Sequence, residues 1–146
     1  MKKILILVIA SACFAACKKS GGSNPTPSSF TMKFTVDGVN NGSYNYDKVR
    51  STPVIRFKFS EPVQSSGIAS HFSMSDNTTP VPITAQLQDQ DSTVIISPTN
   101  PLSGFKKYTL VVSPDLKSAA NGNLANPASL QTVSYTHLTL PTILLV

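Results

Sequence analysis

Short runs in which apolar and polar residues alternate recur through the middle of the chain. In "VIRFKFSEP" the apolar residues Ile55, Phe57 and Phe59 alternate with the cations Arg56 and Lys58. Successive side chains of a β-strand point to opposite faces of a sheet, so this pattern predicts a strand with one buried and one solvated face. Runs of the same kind are "TMKFTVDG", "HFSMSD", "PITAQLQ", "STVIISP" and "YTLVVS".

Turn residues separate these runs, and no long stretch has apolar residues at helical spacing. A chain of 146 residues has room for one core of ordinary size. We therefore expect an all-β fold, an antiparallel two-sheet sandwich of about seven strands. Helical structure should be limited to single turns, one in "SSGIASHF" and one in "SPDLKSAANGN" that Gly122 would close.

The first 17 residues, "MKKILILVIASACFAAC", have the order of a secretory signal peptide. Two lysines open the segment, small residues close it, and the apolar stretch between them is too short to span a bilayer. The closing "FAAC" resembles the lipobox of bacterial lipoproteins. That resemblance implies cleavage before Cys17 and acylation of its thiol and amine, which would make Cys17 a lipid anchor. The alternative is a plain signal peptide cut near Ala16, which would leave Cys17 as an ordinary thiol.

Residues 18–29 include "SGGSNPTPSS", the composition of a flexible tether that cannot bury a core. Lys18 and Lys19 are placed to touch anionic lipid headgroups beside the anchor. This beginning resembles lipoproteins of the Bacteroidetes type, which implies an outer-membrane lipoprotein with the membrane as a partner. The acidic residues that mark surface export in that group are absent after Cys17, so the periplasmic and the surface face both stay open.

The formal net charge of +5 includes Lys2 and Lys3, and it falls to +3 once the signal peptide is removed. The remaining cations are scattered among acids and polar residues, whereas nucleic-acid binding calls for a clustered basic stripe. We therefore predict a solvated surface and no nucleic-acid partner. Cys13 would leave with the signal peptide, so Cys17 has no thiol to pair with and no disulfide is expected.

Residues 52–125 contain a set of short motifs in a fixed order: "FSEPV" at 59–63, "STVIISP" at 92–98, Leu102, "YTLV" at 108–111 and "GNL" at 122–124. Together they resemble the bacterial Ig-like domain found in S-layer and secreted proteins. The resemblance implies an immunoglobulin-like β-sandwich over residues 30–132 and says nothing about a ligand. Ser118 departs from the pattern, because many relatives carry an aspartate there, so no acidic contact is assumed in that turn.

The chain ends in "TVSYTHLTLPTILLV", an uncharged segment that nothing upstream prepares for. Back-translated, Val133 to Thr142 resembles the reverse complement of a transposase-type sequencing adapter, and both flanks agree. We expect residues 133–146 to be an adapter-encoded artefact that replaces the end of a truncated last strand. A genuine strand is the alternative. Because Val133 and Tyr135 imitate strand alternation, we also expect Leu130 to Leu138 to pair as the final strand.

Groups that could carry catalysis are sparse. Upstream of the tail, His71 is the only histidine, and no cysteine, second histidine or close carboxylate pair accompanies it. Asp89 and Asp91 are spaced as an acidic pair, for which a solvated hairpin loop is the preferred interpretation and weak calcium binding the alternative. We predict no catalytic residue, no metal and no cofactor.

Tyr44 and Tyr46 in "NGSYNYDK" are the candidates for a ligand surface. Exposed aromatic rings offer contact area at low entropic cost, and alternation would place both rings on one face. Packing in the core or at a sheet edge is the preferred interpretation of such a pair, and a ligand surface is the alternative. The chain has no tryptophan, which weakens a carbohydrate-binding interpretation.

These observations favour a non-catalytic Ig-like module of a lipid-anchored cell-envelope protein, acting as a spacer or as a binding or adhesion domain. Its expected partners are the membrane, and a cell-surface glycan or another domain of the same native chain. The alternative is the N-terminal accessory domain of a truncated secreted enzyme that acts on glycans.

Overall fold

A computed structural model describes residues 28–134, which form eleven strands and one 3-10 helix, Ile68–His71. The strands are β1 Ser29–Phe30, β2 Met32–Val36, β3 Asn45–Val49, β4 Ile55–Phe59, β5 Phe72–Asp76, β6 Thr79–Val81, β7 Ile83–Gln88, β8 Thr93–Pro98, β9 Lys107–Val112, β10 Asn123–Leu124 and β11 Ser129–Ser134. No helix within residues 28–134 is long and apolar enough to cross a bilayer.

Two sheets make up most of the domain. The four-stranded sheet has the order β2-β4-β8-β7 and is antiparallel throughout. The five-stranded sheet has the order β3-β11-β9-β5-β6, in which β3 and β11 run parallel. A further parallel pair, β1 with β10, stands apart from both sheets. The two orders are those of an immunoglobulin-like sandwich, in which the chain divides its strands between two facing sheets.

The core lies between these sheets and is built from the inward positions of the alternating runs. Ile55, Phe57 and Phe59 of β4 are 0–4% exposed, and Arg56 and Lys58 between them are exposed, as the alternation predicts. Phe57 meets Phe72 of β5 across the sandwich, with ring centroids 5.3 Å apart. Burial of large apolar side chains on this scale is the main favourable term in folding.

The predicted all-β sandwich is confirmed, and each of the six alternating runs contains a strand. The helical turn expected in "SSGIASHF" is present as the 3-10 helix, whereas "SPDLKSAANGN" forms turns and part of β10 but no helix. The pairing within the two sheets is antiparallel except between β3 and β11, which run parallel. The loop after β2 carries the chain from the four-stranded to the five-stranded sheet, where β3 runs along β11.

The last described strand, β11, occupies an interior position between β3 and β9. It pairs with β9 from Ser129 to Val133, and Phe105 N–H donates to the carbonyl of Ser134 at 2.8 Å. Pairing therefore continues past Thr132, as expected for a final strand. The predicted continuation from Tyr135 to Leu138 lies outside the described residues.

Candidate ligand surface beside strand β2

Strand β2 forms one edge of the four-stranded sheet, and β3 forms one edge of the five-stranded sheet. The loop of residues 37–44 joins them, so both edges meet at one side of the sandwich. A shallow depression of about 180 Å³ lies there, with Met32, Lys33 and Phe34 on one wall and Asn40 and Tyr44 on another. Its lining combines aromatic and polar groups as ligand sites do, but its volume is below the roughly 300–1,000 Å³ of enclosed small-molecule pockets, so it suits a ligand that lies across the surface.

Aromatic rings form the centre of this surface. The half-buried Phe34 lies 6.0 Å from the core ring of Phe57 and 5.4 Å from the ring of Tyr44. Tyr44 remains 51% exposed. The ring of Phe34 thus connects the ring of Tyr44 to the core. This contact restricts the rotation of the exposed Tyr44 side chain.

Asn40 holds the loop against β2. Its side-chain amide donates to the carbonyl of Phe34 at 3.1 Å, and its side-chain oxygen accepts from the backbone N–H of Gly42 at 2.8 Å. Gly42 has φ of +72°, a left-handed conformation that glycine adopts without steric cost. The turn at Asn40 to Gly42 therefore places Tyr44 beside Phe34.

The prediction of a two-tyrosine surface is corrected for Tyr46, which is only 6% exposed. Its hydroxyl donates to the carbonyl of Val39 at 3.3 Å and accepts from the N–H of Asn41 at 3.3 Å. Its ring packs edge-on against Phe34 at 6.1 Å. Tyr46 therefore anchors the loop from inside, because β3 turns its ring toward the core, and Tyr44 alone presents a ring to solvent.

Cations lie next to these rings. Lys33 on β2 is directly opposite Lys58 on β4, and Arg56 follows two positions away on β4. All three are exposed, and none has an ion-pair partner within residues 28–134. A second depression is lined by residues that include Met32, Lys33 and Lys58, and it shares the first two with the depression beside Tyr44. The alternation in "TMKFTVDG" and "VIRFKFSEP" predicts that both runs expose their cations to solvent. It does not predict that Lys33 and Lys58 are opposite each other, because that depends on how the two strands pair.

An ion pair fixes the start of the loop. Arg50 donates to the carboxylate of Asp37 at 2.8 Å, and the N–H of Val54 donates to the same oxygen at 3.0 Å. Burial raises the pKa of Asp37, but the hydrogen bonds from Arg50 and Val54 outweigh it, so the net pKa is lowered. The loop therefore keeps an ionised carboxylate at its base.

The other predicted candidates lie elsewhere. His71 is half-buried at the end of the 3-10 helix, where its carbonyl accepts from the N–H of Ser113. Asp89 and Asp91 lie in the loop between β7 and β8, as the hairpin interpretation expected. No group of three or more His, Cys, Asp or Glu side chains that could hold a metal occurs within residues 28–134. Cys17 lies outside the described residues.

Comparison with known proteins places residues 23–137 in the bacterial Ig-like domain family. The match includes residues 133–137, inside the segment predicted to be foreign. No curated protein matches the chain.

Among solved structures, the chain is similar to the N-terminal part of the bacterial S-layer protein SbsC, with 18% identity and a TM-score of 0.51 over 75% of this chain and 24% of that one. Domains 1–6 of the same surface-layer protein give 17% identity and a TM-score of 0.51, over 75% and 14%. The chain therefore spans about a quarter or less of the structures that it resembles, and the likeness concerns the fold.

Proposed function

Because the chain belongs to the bacterial Ig-like domain family, we propose that it is a non-catalytic module of a lipid-anchored cell-envelope protein, serving as a spacer and as a binding domain. The lipid is attached at Cys17, and residues 18–29 separate the membrane from the sandwich. The module belongs to the outer membrane, and its exposed edges are available to a cell-surface glycan or to another domain of the native chain.

The observation that supports this proposal is the packing of strand β1 into the sandwich. Phe30 in β1 is fully buried and lies 5.8 Å from Phe59, and β1 pairs with β10. A Cβ at Gly122 would lie 2.6 Å from the carbonyl oxygen of Ser28, so the chain is held closely from Ser28 onward. Strand β1 is therefore packed firmly into the sandwich, which supports a module carried on a tether that precedes it.

Metabolic labelling tests the anchor. The full chain expressed in a bacterium with lipoprotein processing should incorporate a palmitate analogue and fractionate with the outer membrane. Cys17→Ser should remove the label, whereas Cys13→Ser, a matched change inside the predicted signal peptide, should keep it. Equal labelling of Cys17→Ser and the parent chain would refute anchoring at Cys17.

A second candidate function is that of accessory domain in a longer secreted enzyme acting on glycans. One observation favours a longer native chain: the inward hydroxyls at the end of β11, on Thr132 and Ser134, are buried without a partner within the described residues. Sequencing the genomic locus across the Thr132 codon decides between the two. A stop codon within one strand length supports the stand-alone module, and several hundred further codons support the enzyme.

A further inference from the structure

The two sheets of the sandwich differ in charge. The four-stranded sheet carries three cations, Lys33, Arg56 and Lys58, and its four strands contain no acidic residue. The strands of the five-stranded sheet carry two cations, Lys48 and Lys107, and two acids, Asp47 and Asp76. The strands of the four-stranded sheet therefore carry only positive charge, whereas four of the seven acids of the chain, Asp37, Glu61, Asp89 and Asp91, lie in the loops at the ends of this sheet.

The position of the cations argues against a purely protective role. Lysine on an edge strand such as β2 can guard against unwanted strand pairing. Lys58 and Arg56, however, lie on β4, which is covered on both sides by β2 and β8. Like charges directly opposite each other in a sheet are destabilising, and Lys33 and Lys58 form such a pair. An anionic partner between them would remove that repulsion.

The neighbouring surface adds a second kind of contact. Lys33 lines both depressions along β2, one of which contains Lys58 and the other Phe34, Asn40 and Tyr44. Lys33 and Lys58 are exposed on the outer face of the sheet, whereas Phe34 turns toward the core side and contacts Tyr44. The two depressions share Met32 and Lys33 at the β2 edge, so an extended ligand that touches both must cross this edge. Cations bind carboxylates, and the flat face of a tyrosine packs against the apolar face of a sugar ring.

We infer that the β2 edge surface, defined as Lys33, Lys58, Phe34, Asn40 and Tyr44, binds an acidic polysaccharide. Lys33 and Lys58 hold a carboxylate of the polymer, and Tyr44, supported by Phe34, packs against a neighbouring sugar. The inference rests on the binding role proposed above and is independent of the lipid anchor. Palmitate labelling and glycan binding are separate readouts, so failure of one does not imply failure of the other.

Affinity electrophoresis of the full chain in detergent tests this inference, with polygalacturonate as the acidic probe and dextran as the neutral one. We expect retardation by polygalacturonate, weakened by salt because exposed charges are screened, and none by dextran. The double variant Lys33→Gln with Lys58→Gln should weaken binding about tenfold. Tyr44→Ala should weaken it to a similar degree, whereas Tyr44→Phe should keep it.

The matched control removes two positive charges at the five-stranded sheet, one from Lys107 in β9 and one from Lys106 directly before it. Lys106→Gln with Lys107→Gln should leave the affinity for polygalacturonate unchanged, and thermal unfolding of each variant should verify that it is folded. Equal weakening by the two double variants would show non-specific charge attraction and overturn the inference. Stronger retention by single-stranded DNA or by anionic phosphatidylglycerol vesicles than by polygalacturonate would also overturn it, as would binding that is insensitive to Tyr44→Ala.

Discussion

Strands β9 and β11 lie side by side in the five-stranded sheet, but their inward faces differ. Along β9 the buried side chains are apolar or aromatic over the whole strand: Tyr108, Leu110 and Val112. Along β11 they change from apolar to polar toward the end: Leu130, Thr132 and Ser134. The register places Leu130 opposite Leu110 and Thr132 opposite Tyr108. The inward side chains of β9 and β11 are thus both apolar where Leu110 is opposite Leu130, and they differ in chemistry where Tyr108 is opposite Thr132.

The hydroxyl groups on these strands make the difference clear. The hydroxyl of Tyr108 accepts from the N–H of Ser103 at 2.9 Å and donates to its carbonyl at 3.3 Å. This is the arrangement of a tyrosine corner, in which a tyrosine near the start of a strand ties back to the preceding loop. The hydroxyls of Thr132 and Ser134 are buried with no hydrogen-bond partner within residues 28–134. Burying such a group unpaired costs about 1–3 kcal/mol.

Backbone hydrogen bonds can extend a strand past the point where its inward side chains are apolar enough for the core. β11 is hydrogen-bonded on both sides, by β3 and by β9, so its backbone is satisfied as far as Ser134. Natural strands usually agree in pairing, pattern and polar satisfaction. An unpaired buried hydroxyl also occurs at Thr93 in β8, so this feature is not confined to the end of β11, where foreign sequence is predicted to begin at Val133 and the family match extends to residue 137.

The largest expected effect comes from the apolar end, where the two strands match. Leu110→Ala and Leu130→Ala should each lower the free energy of unfolding by about 3 kcal/mol, because both side chains are buried and truncation leaves a cavity. Urea denaturation measures the loss. The exposed Val111 provides the control, since Val111→Ala should change stability little. A loss below about 1 kcal/mol for Leu130→Ala would mean that β11 is not an integral strand.

Removing the hydroxyl of Tyr108 and removing that of Thr132 should change the free energy of unfolding in opposite directions. Tyr108→Phe should destabilise the domain by about 1 kcal/mol, because two hydrogen bonds are lost. Thr132→Val should stabilise it by about 1 kcal/mol, because an unpaired buried hydroxyl is replaced by a methyl group of similar size. The urea midpoints of the two variants should lie on either side of the parent midpoint.

The control for this pair is Thr109→Val on the outward, half-buried side of β9. Water can reach that hydroxyl, so its removal should leave the midpoint near that of the parent chain. If Thr132→Val destabilises the domain, its hydroxyl must be satisfied, and the contrast between the two strands disappears.

The alternating runs predicted most of the fold, because the period of two in β4, β5 and β9 is a local property that burial then confirms. They could not predict the parallel pairing of β3 with β11, which depends on residues far apart in the chain. They predicted a hairpin loop at Asp89 and Asp91 but not its backbone conformation, in which Asp89, Gln90 and Asp91 all have positive φ values of 53–63°. Its backbone is held by the N–H of Val63, which donates to the carbonyl of Asp91 at 2.9 Å.

The candidate surface was predicted only in part, for a similar reason. Alternation relates Tyr44 to Tyr46 only if both lie in one strand, but β3 begins at Asn45 and Tyr44 belongs to the preceding bend. One ring is therefore exposed and the other buried. The proximity of Lys33 to Lys58 required the register between β2 and β4, which neither run contains alone.

A smaller effect is expected at the end of β11. Ser134 is fully buried, and its backbone N–H donates to the carbonyl of Lys106 at 3.1 Å, so a substitution that keeps the backbone should keep the strand. Ser134→Ala removes only the unpaired hydroxyl and should raise the free energy of unfolding by about 0.5–1 kcal/mol. Chemical denaturation of Ser134→Ala beside Ser129→Ala, an exposed site on the same strand, measures the difference. A lower stability for Ser134→Ala than for Ser129→Ala would contradict it.

The smallest effect on stability should come from the ion pair between Asp76 and Lys106, the residue directly before β9. Lys106 donates to the carboxylate of Asp76 at 2.6 Å, and this hydrogen bond together with the negative charge raises the pKa of Lys106. A raised pKa in the folded state stabilises the domain below the unfolded-state value, and that contribution is lost as the pH rises through the folded-state pKa. Because the lysine is exposed, solvent screens the pair and little stability is at stake.

Lys106→Gln should therefore lower the thermal midpoint at neutral pH by less than Ser134→Ala raises it. The difference between parent and variant should vanish in strongly alkaline buffer and shrink in high salt, because both conditions weaken the pair. Thermal unfolding at neutral and alkaline pH, with and without salt, measures both trends. A loss in Lys106→Gln as large as that in Leu130→Ala would mean that charge at the loop, and not the inward faces of β9 and β11, governs the stability of this sheet.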